Sequence, residues 1–478
     1  MSKVRLSMLA LLLVILISLP LSAMKSSGCI VRDNGDADKA GSDNNNRAAG
    51  VSLINVKDFG AKGDGETDDT AALQQAINSL APDGGTVVFS PGTYITSNQI
   101  TVRDKVSLIG SGTNVTAIKN INNTHILRLD KDASDLTVRG LTLDGNKGLT
   151  GYGILAVTAN KNIVIESCRI CNTGSIGILF SNPGIENVII RDNVLYDIGS
   201  SRIEHAGYEG NGLYLGGGAS RIQVHRNSIS RVYGHACVFI AGAKDITVSE
   251  NRLFDTRYRA IQCFGNGNRN VLIEKNSIYN TGAINDSGKA LGCNGILIDS
   301  SDAPLYSFTI RANNLANIGE NGIECWSGAI IEGNTINRTG YRSDLEGDSK
   351  EGIHICSGSI VRNNTVKNTG TKGIELNAIE TVYKDTVIEE NTIKNVGTGG
   401  KWQVGIRVVA DGPQAFVDNI IIRNNTIGDD QGNPTTMTGI NVFRTNGGTL
   451  GENIFVQYNR IDSSVKRKLD LDRIVRTR

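Results

Sequence analysis

Residues 322–340 read GIECWSGAIIEGNTINRTG, and residues 352–370 read GIHICSGSIVRNNTVKNTG. The two stretches share Gly322/352, Ile323/353, Gly328/358, Ile330/360, Asn334/364 and Gly340/370, and differ at most of the positions between. Self-similarity at a fixed spacing signals a solenoid, whose units cannot bury their apolar faces alone. The pattern runs outward in both directions. Asn before x-hydrophobic recurs at Asn193, Asn227, Asn251, Asn276, Asn313, Asn334, Asn364, Asn391, Asn425 and Asn459, and Cys168 stands in the same place one turn earlier. Upstream of each lies G-I-x-h or a variant of it, such as GILF, GLYL, ACVF, AIQC, GILI, GIEL, GIRV and GINV, and a second alternating strand such as NVIIRD or DITVSE lies between. Laps of about 21 to 37 residues leave no room for helical crossovers. The chain must climb as a coil, which predicts an all-β right-handed parallel β-helix over residues 51–463, right-handed as parallel crossovers usually are. Asn suits the bend because it tolerates the left-handed conformation, and stacked Asn side chains can ladder from coil to coil. Aliphatic residues stacked inward account for an aromatic content of only 5%.

Outside the repeats, MSKVRLSMLALLLVILISLPLSA at 1–23 has the basic start, apolar run and small terminal residues of a secretory signal, and 24–50 is a polar, aperiodic linker. Export to the medium or the cell surface is the expectation. SSGC ending at Cys29 resembles a lipoprotein box, although Ser26 stands where Leu is usual, so a lipid on Cys29 is the alternative to cleavage near Ala23. A formal net charge of +1 gives no general attraction to nucleic acid or to a membrane surface. The closing segment 464–478 reads as a basic tail or cap, with Val465, Leu469 and Ile474 as its apolar side.

Seven further cysteines invite a disulfide reading, but register opposes it. Cys237 and Cys263 fall inward on neighbouring coils two residues out of line, ~8 Å apart and beyond bridging distance. Cys325 and Cys356 take opposite faces of their strands. Cys168 and Cys171 form a lone C-x-x-C without the second pair that a zinc site needs. Buried thiols filling the core are expected.

The stretch DFGAKGDGETDDTAALQQAI at 58–77, followed by GGTVVFSPGTY at 84–94, resembles the N-terminal signature of the pectate-lyase-like superfamily, which includes rhamnogalacturonases, uronan epimerases and phage tailspikes. The resemblance implies the β-helix fold and leaves the reaction open, because this fold hosts lyases, hydrolases, epimerases and adhesins. Thr67 or Asp68 is expected to cap a helix whose apolar face is Ala72, Leu73, Ala76, Ile77 and Leu80, closing the first coil. The acidic run Asp64, Glu66, Asp68 and Asp69 lacks the ligand periodicity of a calcium loop. DFGAKGDG and LTLDGN at 141–146 are also similar to mannuronan epimerases. Their Y-G-F-D-P-H-E motif is absent, however, since the matching coil reads IGILFSN, with Ile176, Leu179 and Ser181 in place of Tyr, Asp and His. The galacturonase motif set is likewise not recognisable, GHA at 234–236 being only a fragment.

Candidate function therefore rests on the outward places of G-I-x-h-x, stacked ~4.8 Å apart on successive coils. The first x position reads Tyr214, Val238, Gln262, Leu297, Glu324, His354, Glu375, Arg407 and Asn441. The second reads Asp299, Trp326, Cys356 and Asn377, and the place before Gly reads Asn211, His235, Arg259, Asn294, Asn321, Glu351 and Lys372. This row of ionisable groups is either a set of cross-strand charge pairs or a site. Trp326 beside it on the solvent face favours a site, since an exposed indole can stack a sugar ring. Insertions at 285–293 and 341–350 are placed to wall a groove.

The chemistry expected is β-elimination or C5 epimerisation of an acidic, uronate-containing polysaccharide. His354 or Lys372 would be the base, Arg407 or His235 would hold the carboxylate, and Glu324 and Glu375 would orient the base or bind calcium. Trp326, Asn321 and Glu351 would bind substrate, joined by a second patch of Tyr214, His235 and Arg259 with His205, Tyr208, Tyr233, Arg257 and Tyr258 near it. Two alternatives stand beside this reading. One is an inverting glycoside hydrolase using Glu324 and Glu375, ~9.6 Å apart. The other is a glycan-binding surface protein without catalysis.

Overall fold

A computed structural model describes residues 52–148, 150–199, 210–283, 292–300, 302–341, 350–400 and 402–477. The leader, the linker with Cys29, His205, Tyr208 and most of the two insertions lie outside the described residues. Almost every described residue belongs to laps that place one strand in each of three long parallel sheets. The first sheet runs from Leu53–Asn55 to Arg476–Thr477, the second from Asp64–Asp68 to Arg460–Ile461, and the third from Ile100–Val102 to Arg467–Leu471. Neighbours in each sheet follow chain order, so the chain winds as a right-handed parallel β-helix. Alternation sends one residue of each pair inward, and a continuous aliphatic core extends from Val56 to Val456. The ladders run past residue 463: Arg467–Leu471 pairs with Thr438–Thr445, and Arg476–Thr477 with Ile454–Gln457, a further partial coil in which Val465 is buried and Leu469 exposed.

The Asn residues form a single file. Asn227 Nδ2 donates to Asn251 Oδ1 at 3.0 Å, and the backbone N–H of Asn227 shares that oxygen at 2.9 Å. The same pair of bonds joins Asn251 to Asn276 and continues as far as Asn459. Each Nδ2 also caps a strand carbonyl, as Asn227 does with Ile190 O at 2.8 Å. The left-handed conformation falls elsewhere than expected. Arg226, Glu250 and Lys275, the residues just before the ladder Asn, carry φ of 54°, 56° and 54°. Asn is required here for its side-chain amide, and the bend is made by its neighbour.

Glycine in G-I-x-h serves close approach. A Cβ on Gly322 would lie 2.5 Å from Gly352 O, and one on Gly352 would lie 2.6 Å from Gly373 O. At the open end, the helix Thr70–Ser79 buries Leu73, Ala76 and Ile77 in the core. It starts later than the sequence suggests, because Asp64–Asp68 is a strand and Asp69 is the N-cap residue. Asp69 is buried and accepts from Lys62 N at 2.6 Å and Gly63 N at 2.9 Å. Asp64, held at a pKa of about 2 by the backbone N–H groups of Thr67 and Glu66, is likewise engaged in its loop. These carboxylates brace the cap. No helix among the described residues is long and apolar enough to cross a membrane.

All seven described cysteines are buried, and Cys168, Cys171, Cys237, Cys263, Cys325 and Cys356 are free thiols, as expected. Burial raises the Cys168 and Cys171 thiols to about 12 and about 11, which keeps them protonated. One detail of register differs. Phe239, not Val238, pairs with Tyr214 and Gln262, and Ala236, not His235, is the partner of Arg259. Cys237 stands in the Gly position, so it and Cys263 are three residues out of line. Val238 is therefore a core residue.

Candidate active site on the third sheet

Backbone pairing places Leu297, Glu324, His354, Glu375, Arg407 and Asn441 side by side on the outer face of the third sheet. Their strands are Ile296–Asp299, Ile323–Cys325, Ile353–Ile355, Ile374–Ile379, Val404–Asp411 and Thr438–Thr445. Short strands with Ile inward on both sides of the x residue leave that residue no direction but outward. Glu351 and Lys372, in the place before Gly, sit beside the row. The row is outward but not open: Glu351, Lys372 and Glu375 are buried, and Arg407 is nearly so. The sequence reading of a solvent-facing row is corrected here, because two indoles and Phe443 pack against these groups.

Glu375 is the hub. Its Oε1 accepts from Arg407 Nη1, and its Oε2 lies 3.2 Å from Lys372 Nζ and 3.6 Å from His354 Nδ1. Burial opposes its charge, but these three cations outweigh burial and hold the carboxyl far below the usual range. Lys372 Nζ also lies 2.9 Å from Glu351 Oε1. Glu351 Oε2 has no hydrogen-bond partner, and burial outweighs Lys372 to push this carboxyl up to about 7. Two carboxyls of one cluster are thus driven apart, Glu375 ionised and Glu351 ready to carry a proton near neutrality. His354 shows the third pattern. Burial alone would lower its pKa, but Glu375, Glu351 and Glu324 raise it above the ordinary value, and its buried Nε2 has no hydrogen-bond partner among the described residues.

Glu324 belongs to the rim of this cluster. Its Oε1 accepts from Trp326 Nε1 at 2.8 Å, and its Oε2 accepts from Asn294 Nδ2 at 2.7 Å and Asn321 Nδ2 at 3.1 Å. The Trp326 ring, 41% exposed, lies 5.1 Å from the His354 ring. Asn321 is buried, and its Oδ1 accepts from Glu351 N at 2.8 Å, so it fixes backbone rather than facing outward. Trp402, which sequence reasoning missed, covers the other end: Arg407 Cζ lies 4.8 Å and Lys372 Nζ 5.6 Å from its ring centre. The only available signal was that it is the second of just two tryptophans.

The other patch lies on the same sheet. Tyr214 stacks on Phe239 at 5.3 Å, and His235 on Tyr258 at 6.0 Å. Arg259 Nη1 donates to Gln262 Oε1 at 3.3 Å, and among the described residues the guanidinium has no ion-pair partner. Its enclosed Nε has no acceptor, and burial lowers its pKa against the pull of Glu320 and Glu324.

Residues 53–282 match the family described as rhamnogalacturonase A/epimerase, pectate lyase-like. Over those residues the chain is similar to that pectate-lyase-like family, and its described residues form a parallel β-helix. It is 36% identical over 169 residues to mannuronan C5-epimerase AlgE6 of Azotobacter vinelandii, a stretch covering 30% of this chain and 19% of that protein. It is 32% identical over 169 residues to alginate lyase 7 of the same organism, covering 30% of this chain and 20% of the other. Among solved structures, the N-terminal fragment of bacteriophage Phi29 gene product 12 matches with a TM-score of 0.54 at 16% identity, over 82% of this chain and 71% of that one. That likeness shows the fold alone. The family match includes Tyr214, His235 and Arg259 but ends before Glu324, so the charged row is outside it.

Ligand atoms of Glu351, His354 and Glu375 lie within 4.8 Å of one another. The set does not fit calcium, which takes six to eight oxygen ligands. Here one donor is an imidazole, and Lys372 and Arg407 already neutralise the carboxylates. No step of the chemistry below runs through a metal.

Proposed function

We propose that this protein is an exported, carbohydrate-active enzyme that removes the proton beside the carboxylate of an acidic polysaccharide, as a lyase or a C5-epimerase. The observation that carries this reading is His354: its Nδ1 faces ionised Glu375, its Nε2 is unpartnered, and a half-exposed indole lies against its ring. A base needs that arrangement, one nitrogen oriented by a carboxylate and the other left for the substrate. His354 Nε2 takes the proton from the carbon that bears the carboxylate, and the C–H electron pair stays there, delocalised into the carboxylate. Departure of the 4-linked sugar gives elimination, whereas proton return from the other face gives epimerisation. Glu351, with its raised pKa, is the group suited to deliver a proton. Lys372 and Arg407 balance the charge of the cluster. Nε2 is buried with the Trp326 ring against the imidazole, so substrate entry requires that ring to swing aside.

Arg259 gives the acidic preference its support. The place before Gly puts it three coils from Glu351, ~14 Å along the axis. Unlike Arg407 it has no ion-pair partner among the described residues, so it can hold the acid group of a distant sugar in the same chain. The two relatives are named as a mannuronan epimerase and an alginate lyase, which agrees with a uronate substrate. The leader at 1–23 supports export.

The inverting hydrolase reading is weakened by the same geometry. Glu375 is held ionised by its cation neighbours and so is not the protonated acid that inversion needs, and both oxygens of Glu324 are engaged by an indole and two amides. Binding without turnover is favoured by one observation, the mutual neutralisation of Lys372, Glu375 and Arg407. A screen of uronan and neutral polysaccharides, read by absorbance of unsaturated uronate and by reducing ends, separates the three. Reducing ends without absorbance mean hydrolysis. Binding with neither product, and without C5 inversion by NMR, means a lectin-like protein.

A further inference from the structure

The chain has two tryptophans, and both are partly exposed at the charged row, Trp326 at 41% and Trp402 at 46%. A large ring left in water is informative where a core of aliphatic residues was available to take it. They sit at opposite corners. Trp326 directly follows the strand Ile323–Cys325, and Trp402 precedes the strand Val404–Asp411, three coils further on. The axial offset is therefore ~14 Å, with His354 and Glu375 on the two coils between.

Each indole rests against the row, Trp326 in a position from which it tilts to let a sugar reach His354. Trp326 donates its N–H to Glu324 and rests on His354. Trp402 has Arg407 and Lys372 against its ring. Its backbone is left-handed, with φ of 48°, an outlying conformation for a bulky side chain. The chain thus holds a strained aromatic residue over two catalytic-row cations while leaving part of the ring in solvent.

We propose that Trp326 and Trp402 are the two stacking platforms of a single saccharide cleft, so that one oligosaccharide runs diagonally from one ring to the other across His354. This rests on the enzyme reading above and extends it: recognition needs a substrate several sugars long. A disaccharide cannot bridge the two rings. Each indole offers an apolar surface to the face of a sugar ring, and Lys372 and Arg407, already paired with Glu351 and Glu375, support the Trp402 ring from behind.

Because there are only two tryptophans, each reports alone in a single-Trp variant. In W326F the emission comes from Trp402, and in W402F from Trp326. Titration uses acidic hexasaccharides of mannuronan and galacturonan, the corresponding disaccharides, and a neutral cello-hexasaccharide. The expected result is saturable emission change in both variants with one acidic hexasaccharide, at midpoints within about threefold, each weaker than wild type. The disaccharide is expected to bind about tenfold or more weaker. If Trp402 in W326F stays silent at concentrations that saturate Trp326 in W402F, the two-platform cleft is wrong while the enzyme reading stands. Midpoints far apart mean two separate sites and also overturn it. If the neutral hexasaccharide moves both indoles at one midpoint and the acidic ones do not, the cleft stands and the acidic substrate falls. Silence of both indoles toward every oligomer overturns the cleft and the reading beneath it.

Discussion

In the proposed reaction His354 is the base, and its environment gives the sign of the expected pH dependence. Its pKa is raised by Glu375, Glu351 and Glu324, so the neutral imidazole needed for proton abstraction forms only at a pH above the ~6.5 of an ordinary histidine. The acidic limb of kcat/KM should lie there, and Glu375→Gln should move that limb to lower pH. A limb that stays put in the variant would show that another group titrates. Trp326→Ala should raise KM more than it lowers kcat, since the indole binds but transfers no proton. Glu351 gives a stability test at the same scale. The unfolded carboxyl titrates near 4.5 and the folded one at about 7. Between these values the folded state binds more protons, so the contribution of Glu351 is full below the lower pKa and is lost as pH rises through the upper one. The Tm of Glu351→Gln relative to wild type should therefore climb across that window. A flat difference would refute the raised pKa.

The repeating element was readable because every lap obeys the same two rules, aliphatic residues inward and Asn at the bend. The columns Glu324–His354–Glu375–Arg407 and Trp326–Cys356–Asn377 follow from counting residues, and for the first the backbone pairing agrees. Counting failed at one lap, where ACVF has Cys237 in the Gly position and slips the frame by one residue. Burial was not readable either. A strand pattern tells which way a side chain points, but not whether an indole from a loop five residues before Arg407 will cover it. At this scale the Asn file offers the sharpest stability prediction. Asn276→Ala leaves the buried N–H of Asn251 and the carbonyl of Val248 without partners and should cost roughly 1–3 kcal/mol each in urea unfolding. Cys325→Ala should cost on the order of 1 kcal/mol through lost packing, with no sensitivity to reductant. Full stability of the Asn276 variant would mean that the file is ornament.

Across the described residues, one sheet carries the indoles, the charged row and Arg259, while the first sheet displays coil-to-coil ion pairs such as Arg191–Glu166 and Arg362–Glu332 and the second a stacked pair, Phe254–Tyr279. A stack of coils gives every residue on that sheet the same ~4.8 Å step, which suits a polymer lying along the axis. The fold was legible from 58–94 and from the repeats. The reaction was not, because the early-coil motif of the mannuronan epimerases is replaced by IGILFSN and the charged row lies on later coils, beyond the family match. The most direct test is proton NMR of mannuronan and polygalacturonate in deuterium oxide with wild-type protein and His354→Ala. The account predicts loss of the C5 proton signal with wild type, by exchange or by elimination, and its retention with the variant. Undiminished turnover by His354→Ala, or new reducing ends from wild type with every C5 proton intact, would contradict it.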